Sequence, residues 1–187
     1  MEITRRSNLI SANNYLPVLD FIQDVDRKDE ILVISHFDII LTVKNLKNHI
    51  NSLSNILTSI SGVDLVDLDY RFVIVYDFLS IKYTARTRIK VFLNEITSLE
   101  SITFIHPSAN WFEREIWDMY GIYFDNHPDF RRILTDYGFE GHPLRKNFPL
   151  PGFTEAKYDS TTKQVVIVPI SISQEFRNFT FNQKFEA

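Results

Sequence analysis

Apolar residues in the first half of the chain occur either in short continuous runs or at helical spacing, and these two patterns predict its strands and helices. The short run Ile31 to Ser35 is typical of a buried strand. Leu16 to Ile22 is interpreted as part of a first helix. Further on, apolar side chains recur at steps of three and four, which predicts an amphipathic helix closed by Gly62. The apolar positions of that helix are Val43, Leu46, Ile50, Leu53, Leu57 and Ile60.

Two neighbouring strand patterns predict an antiparallel hairpin. Arg71 to Leu79 reads RFVIVYDFL, which indicates a strand buried for much of its length, and Ser80 marks the turn. From Lys82 to Val91 polar and apolar residues alternate, so one face of the second strand is basic. Such a face is typical of a solvated or helix-packed strand. A docking surface for an acidic partner is the alternative.

A further helix is predicted from Trp111 to Tyr120. Asn110, with Glu113 three residues later, matches the pattern of a capping box, and Gly121 ends the helix. At about 100° per residue, one face of this helix is apolar. The apolar face holds Phe112, Ile116, Trp117, Met119 and Tyr120. The other side holds Arg114, Glu115 and Asp118.

Glu113 falls in the middle of the apolar face. A carboxylate buried there, ionised and alone, would cost several kcal/mol, so it must be capped or paired. Two interpretations stay open, closure of the capping box and an ion pair with a later arginine. The candidate arginines are Arg131, Arg132 and Arg145. A catalytic acid is the weakest interpretation, because no second carboxylate or nucleophile is placed by spacing to work with it.

The loop that follows carries histidines, glycines and basic pairs. His127 and His142 each precede a proline and have no metal-ligand spacing, so both are interpreted as hydrogen-bonding loop residues. Gly138 and Gly141 match no phosphate-binding loop and are expected to supply turn conformations.

The basic pairs of this loop have two interpretations. Arg131 and Arg132 have the chemistry of a bidentate carboxylate clamp, and Arg145 with Lys146 adds a second cationic spot. Intramolecular pairing with acids of the preceding helix is the alternative.

The region after Pro149 has one short strand pattern, Lys163 to Val168, and then scattered aromatic residues. These are Phe176, Phe179, Phe181 and Phe185. Aromatic side chains in a tail without a core of its own are usually buried against something, so the tail is expected to lie across a partner.

Together these patterns predict an α+β fold, with a mixed or antiparallel sheet, a few helices packed on it and an extended C-terminal tail. Residues 1–125 are expected to form the α+β core domain. Residues 126–187 are expected to form an irregular, partner-docking segment and the tail.

Composition narrows the possible functions. The chain has 187 residues and a net charge of −4, which argues against general electrostatic affinity for nucleic acid. It has no cysteine, which excludes disulfides, thiolate catalysis and cysteine-ligated iron-sulfur clusters. Its apolar runs are far shorter than the roughly 18 residues that cross a bilayer. The N-terminus MEITRRSNLISANN lacks the patterns of signal and transit peptides, so the protein is expected to work where it is made.

The segment from Trp111 to Leu150 closely resembles the thirty-kilodalton core subunit family of respiratory complex I, the proton-pumping NADH:ubiquinone oxidoreductase. The resemblance is carried by Glu113-Arg114-Glu115, Trp117-Asp118-Met119-Tyr120-Gly121, His127-Pro128-Asp129, Arg131-Arg132-Ile133-Leu134 and the run DYGFEGHPLRK from Asp136 to Lys146. The predicted hairpin and the tail are similar to the same family, so the resemblance covers most of the chain from about residue 30.

The resemblance implies a core peripheral-arm subunit of the quinone module that carries no redox centre and is not catalytic alone. The complex uses NADH, FMN, iron-sulfur clusters and ubiquinone, and none of these is expected on this chain. The expected partners are other peripheral-arm subunits, chiefly the larger quinone-module subunit. The expected location is the matrix side of the mitochondrial inner membrane, with an organelle-encoded gene.

Residues of this segment and of the tail are expected to form partner interfaces or structural ion pairs. They are Glu113, Arg114, Glu115, Asp118, His127, Asp129, Arg131, Arg132, His142, Arg145, Lys146, Phe176 and Phe179. The alternatives are an equivalent subunit of a membrane-bound hydrogenase or photosynthetic NDH-type complex, and a free-standing binding or assembly module.

Overall fold

The computed structural model describes residues 18–23, 30–66 and 70–172, together with 175, 177 and 179. The chain forms two compact units, which meet in sequence between Arg145 and Lys146. The predicted α+β class is confirmed. Within the described residues, no helix is long and apolar enough to cross a bilayer.

A five-stranded mixed sheet forms the centre of the first unit. Its strands are β1 (Val18–Gln23), β2 (Glu30–Ile34), β3 (Ile56–Asp64), β4 (Phe72–Ser80) and β5 (Ala85–Leu93). They lie in the order β1-β2-β5-β4-β3, with β2 and β5 parallel and the other neighbours antiparallel. The predicted strand at residues 31–35 and the predicted hairpin are both confirmed.

The prediction of a first helix at Leu16 to Ile22 is wrong where the structure describes it. Residues 18–23 form β1, which pairs antiparallel with β2. A short apolar segment has a weak local preference, and a neighbouring strand that supplies a hydrogen-bond ladder decides its conformation.

The helix predicted to extend from Val43 to Ile60 is also wrong over its second half. A short 3-10 helix (His36–Asp38) leads into helix α1 (Ile39–Asn48), and His49 then adopts an extended conformation. Strand β3 has an irregular register between Leu57 and Ser59, so Leu57 and Ile60 are both buried although they are three residues apart. A bulge of this kind imitates helical spacing within a strand.

One member of the predicted basic face, Arg88, has a partner within the sheet. Arg88 donates from Nε to Asp77 Oδ1 on β4 at 2.7 Å, whereas Arg86 is exposed. Lys82 and Thr84 lie in the connecting turn rather than in β5. For Arg88 the structure therefore favours ordinary sheet polarity over the docking of an acidic partner.

Helix α2 (Ala109–Tyr120) packs on β3 beside a two-stranded parallel sheet of β6 (Leu99–Glu100) and β7 (Phe124–Asp125). It follows Ser108, and so begins two residues earlier than predicted. Gly121 ends it in the left-handed conformation, with φ of 76°, as predicted. The core between helices and sheet is apolar, and its largest buried side chains include Tyr76, Phe72, Phe78 and Phe124.

The second unit contains an antiparallel hairpin of β8 (Thr154–Asp159) and β9 (Gln164–Pro169). The predicted strand at residues 163–168 is confirmed as β9, and β8 was not predicted. Phe176, Phe181 and Phe185 lie outside the described residues. The sequence predicted a core domain of residues 1–125 and a partner-docking region of residues 126–187. This division stays a prediction because it concerns docking to a partner as well as folding.

Candidate functional site

The carboxylate of Asp118 on α2 holds the backbone of the following loop. Its Oδ2 accepts hydrogen bonds from the amides of Ile133, Leu134 and Thr135 at 3.3, 2.8 and 3.0 Å. Its Oδ1 accepts from the Thr135 hydroxyl at 2.8 Å. Three successive N–H groups therefore converge on one buried side chain, which fixes the turn at residues 133–135.

The surroundings of Asp118 keep this carboxylate ionised. Burial acts to raise its pKa, but the hydrogen bonds from Leu134, Thr135 and Ile133 outweigh burial and hold the pKa below its usual range. Arg132 adds a positive charge 3.5 Å from Oδ1. The prediction that Asp118 lies on the outer side of the helix is wrong, because this loop covers it completely.

The end of α2 is closed by a second part of the same loop. The ring nitrogen Nδ1 of His142 lies 3.0 Å from the carbonyl oxygen of Asp118, and Leu144 donates its amide to the carbonyl of Met119. Arg145 donates from Nε to the carbonyl of Tyr120 at 2.5 Å. Three consecutive carbonyls that lack partners inside the helix are satisfied in this way.

Gly121 permits this closure. A Cβ at that position would lie 2.5 Å from His142 Nε2 and 2.7 Å from Arg145 Nη2, and its positive φ also disfavours a side chain. We call residues 127–145 the clamped segment. It approaches the helix end closely because no side chain intervenes at Gly121.

Glu113 is fully buried and bonds to neither of its predicted partners. Its Oε2 accepts from the Ser101 hydroxyl at 2.6 Å and its Oε1 from the Ile102 amide at 2.9 Å. The predicted capping box and the predicted arginine pair are therefore both wrong. The loop after β6 supplies the hydrogen-bond donors of this carboxylate instead. Burial raises the pKa of Glu113 to about 7, against the opposing effect of these two hydrogen bonds.

His127 lies beside Glu113, with Nε2 3.8 Å from its Oε2. The Nδ1 atom accepts the amide of Asp129 at 3.2 Å, which assigns the proton of the neutral ring to Nε2, facing the carbonyl of Asn110 at 3.3 Å. Burial lowers the pKa of His127. His127 and His142 are both engaged in hydrogen bonds to the backbone, as the sequence predicted.

Arg114 is buried rather than turned outward, which corrects another prediction. It donates from Nε to the carbonyl of Arg131 at 3.0 Å, and its Nη1 lies 3.9 Å from Asp129 Oδ2. Its guanidinium also lies over the ring of Trp111, 5.1 Å from the centroid. Like Asp118, it is covered because the clamped segment folds back onto α2.

The three later arginines all have partners other than Glu113. Arg131 pairs with the half-buried Asp129, with Nη2 to Oδ2 at 2.9 Å. Arg132 donates to the carbonyl of Gly141 at 3.1 Å. Arg145 lies over the ring of Phe72 as well as on the helix end. The interpretation of intramolecular pairing with acids of the helix fits Arg132 and Asp118.

Three further predicted interface residues are exposed. Glu115 is exposed on α2, and Lys146 belongs to the second unit. Phe179 is exposed by 70%, and Phe176 lies outside the described residues. No described residue set of three or more histidine or acidic side chains is arranged to hold a metal ion.

Sequence reasoning missed Ser101 and Thr135, the two hydroxyl groups that bond to the buried carboxylates. Nothing in the local pattern distinguishes them from surface hydroxyls. It also missed Phe130, whose ring lies 4.6 Å from that of Trp117 and 4.9 Å from that of Tyr123. An apolar residue inside a polar loop was the available signal for that packing.

Fold and site together define a small α+β protein in which buried charges hold a long loop in a fixed shape. Residues 32–154 match the model of the family described as "Respiratory-chain NADH dehydrogenase, 30 Kd subunit". The chain therefore belongs to the family of 30-kilodalton subunits of respiratory complex I, an oxidoreductase assembly, which confirms the resemblance noted in the sequence.

Relatives agree with this assignment. NADH-ubiquinone oxidoreductase subunit 9 of Reclinomonas americana is 49% identical over 149 residues, 80% of this chain and 73% of its own length. The same-named protein of Prototheca wickerhamii is 50% identical over 141 residues, 75% of this chain and 73% of its own length. An NADH-quinone oxidoreductase subunit from Paramagnetospirillum magneticum is 47% identical over 164 residues, 87% of this chain and 82% of its own length.

A solved structure shares the fold. A chain of the membrane-bound sulfane sulfur reductase, an archaeal respiratory membrane complex, superposes with a TM-score of 0.64 at 19% identity. The match covers 78% of this chain and 85% of that chain.

Proposed function

We propose that this subunit acts by docking, and that the clamped segment and the C-terminal region bind neighbouring subunits in the peripheral arm of NADH:ubiquinone oxidoreductase. The larger quinone-module subunit is the chief proposed partner. The complex carries NADH, FMN, iron-sulfur clusters and ubiquinone on other chains, and this chain positions the subunits between which electrons pass. Its proposed place is the matrix side of the mitochondrial inner membrane.

The observation that carries this proposal is the contrast between backbone and side chains around Asp118. The backbone at Leu134 is held by a buried carboxylate, yet the Leu134 side chain is 59% exposed and that of Tyr137 is completely exposed. Because the buried carboxylate fixes the backbone of this loop, the exposed apolar side chains are held in one arrangement. Pre-ordering lowers the entropic cost of binding, which suits a docking surface.

The hairpin of β8 and β9 gives independent support. Tyr158, Val165 and Ile167 are each more than 60% exposed. A two-stranded hairpin is marginally stable in water by itself. Exposed apolar residues on such a hairpin are typical of an element completed by a partner.

The experiment replaces Leu134 and Tyr137 by serine in the complete chain and follows assembly by blue-native electrophoresis with NADH dehydrogenase staining. A minority of interface residues, among which tyrosine is enriched, contribute more than about 1 kcal/mol each, so the loss of Tyr137 together with Leu134 should leave the complex at least partly unassembled. Ile81→Ser is the matched control, because Ile81 is 66% exposed in the turn between β4 and β5.

Normal assembly of the double variant would contradict a docking role for the clamped segment. A wild-type chain that migrates only as a free species near 22 kDa, never with NADH dehydrogenase activity, would overturn the proposed function altogether.

A further inference from the structure

A cleft of about 800 Å³ opens in the first unit, outside the clamped segment. Its walls come from the short 3-10 helix before α1, from β6 with the loop that leads into it, and from β7 with the residues on either side of it. Three separate parts of the chain therefore shape it, and the parallel pairing of β6 with β7 fixes two of them relative to each other.

Apolar side chains at this cleft are unusually exposed. Ile96 is 97% exposed, Phe37 is 80% exposed and Tyr123 is 55% exposed. Covering such groups is favourable by about 25 cal/mol for each Å² of apolar surface. Exposed apolar residues grouped around a concave surface are typical of binding sites.

Two carboxylates line the same cleft. Glu100 and Asp125 are directly opposite each other in the β6–β7 register, and like charges in that position repel. Asp125 accepts a hydrogen bond of 2.5 Å from the hydroxyl group of Ser98, which is a neutral donor. Among the nine lining residues there is no lysine or arginine, and within the described part of the chain neither carboxylate forms an ion pair.

We propose that this cleft docks a segment of a second neighbouring subunit, one that places a lysine or arginine beside an apolar side chain. The inference rests on the proposed function only in requiring that the chain sits in the assembly. It adds a contact surface that is lined by residues outside the clamped segment. The subunit would then join two neighbours rather than bind one.

The chemistry of the cleft selects this occupant. An acidic segment or an anionic headgroup would be repelled by Glu100 and Asp125. A purely apolar segment would bury both carboxylates without an opposite charge beside them, which is costly. A segment with both features covers Ile96 and Phe37 and relieves the repulsion between the two acids.

The experiment places the photoreactive residue p-benzoylphenylalanine at Ile96, and in a second variant at Phe37, and irradiates the assembled complex. The same residue at Ile81, which is exposed but distant in sequence from the cleft walls, is the control. Both cleft variants should cross-link to another subunit, at a site within a few residues of a lysine or arginine. The control should not give that product.

A second measurement tests the charge requirement. The double change Glu100→Gln and Asp125→Asn keeps size and hydrogen bonding but removes both charges. It should lower the cross-link yield at Ile96 about threefold, as expected for losing one partly exposed ion pair. An unchanged yield, or a cross-linked segment without lysine or arginine, would overturn the proposal.

Cross-links only within this chain, or none in a complex that contains it, would also overturn the proposal while leaving the docking role of the clamped segment intact. Absence of the wild-type chain from the complex would instead reject the proposed function, and the cleft proposal with it.

Discussion

The ring of Tyr120, the last residue of α2, lies directly against Gly62 of β3. A Cβ on Gly62 would stand 2.7 Å from two ring carbons, closer than real contacts of that kind. Helix α2, on which the clamped segment packs, therefore contacts the sheet at a position where β3 has no side chain. Together with the buried side chains of Ala109 and Ile116, that contact positions α2 on the sheet.

Gly62→Ala is therefore expected to destabilise the first unit by roughly 1–3 kcal/mol, the usual cost of forcing an extra methyl group into a packed contact. Urea denaturation of the variant measures this as a lower midpoint. The backbone of Gly62 is not in the glycine-only region, so the cost comes from the ring. In a Tyr120→Ala background the same change should be close to neutral, and equal costs in both backgrounds would contradict this account.

Asp118→Asn should loosen the clamped segment, because an amide carries no negative charge for three converging N–H groups and for Arg132. Hydrogen bonds to a charged group contribute roughly 1.5–3 kcal/mol, so a loss of that size is expected in the free energy of unfolding. Faster amide exchange at Leu134 and Thr135 is the direct measurement. Glu115→Gln, which changes an exposed carboxylate on the same helix, is the control and should exchange as the wild type does.

Glu113 should make stability depend on pH near neutrality. Its pKa is about 7 in the folded chain against an ordinary value of 4.5, so the folded state holds the proton more tightly. The stabilisation is complete below pH 4.5 and is lost as the pH rises through about 7. A shift of that size corresponds to roughly 3 kcal/mol. Burial lowers the pKa of His127, so this residue has the opposite effect. Its contribution to stability falls as the pH drops below the ordinary pKa of histidine.

The measurement compares the wild type with Glu113→Gln, which keeps the neutral shape at every pH. The difference between their unfolding free energies should change most between pH 4.5 and about 7, with the wild type losing stability relative to the variant. A difference that stays constant over this window would mean that Glu113 is ionised in the folded chain.

Arg131→Ala and Glu115→Ala are expected to impair assembly without unfolding the chain. The side chain of Arg131 is 73% exposed and pairs with Asp129, and exposed pairs contribute little to folding. Unchanged thermal unfolding of the isolated chain, together with less assembled complex on blue-native gels, is the expected result. Normal assembly with lost quinone reduction would show that these residues serve the reaction and not docking.

Patterns within a few residues predicted much of the fold correctly. The hairpin of β4 and β5 was predicted because alternation records which side chains face the core, and Gly121 because a left-handed helix end favours glycine. The bulge at Leu57 was not visible, since a three-residue spacing of buried groups fits a helix and an irregular strand equally well.

The sequence by itself determined the α+β class, the family and the stretch in which the charged network lies, because periodicity and motifs are local properties. Only the tertiary structure decided the partners within that stretch. Glu113 bonds to Ser101, and Asp118 gathers the amides of residues 133–135, because chain segments distant in sequence pack around one helix. Local spacing predicts which face a charge lies on, whereas its neighbour there depends on long-range packing.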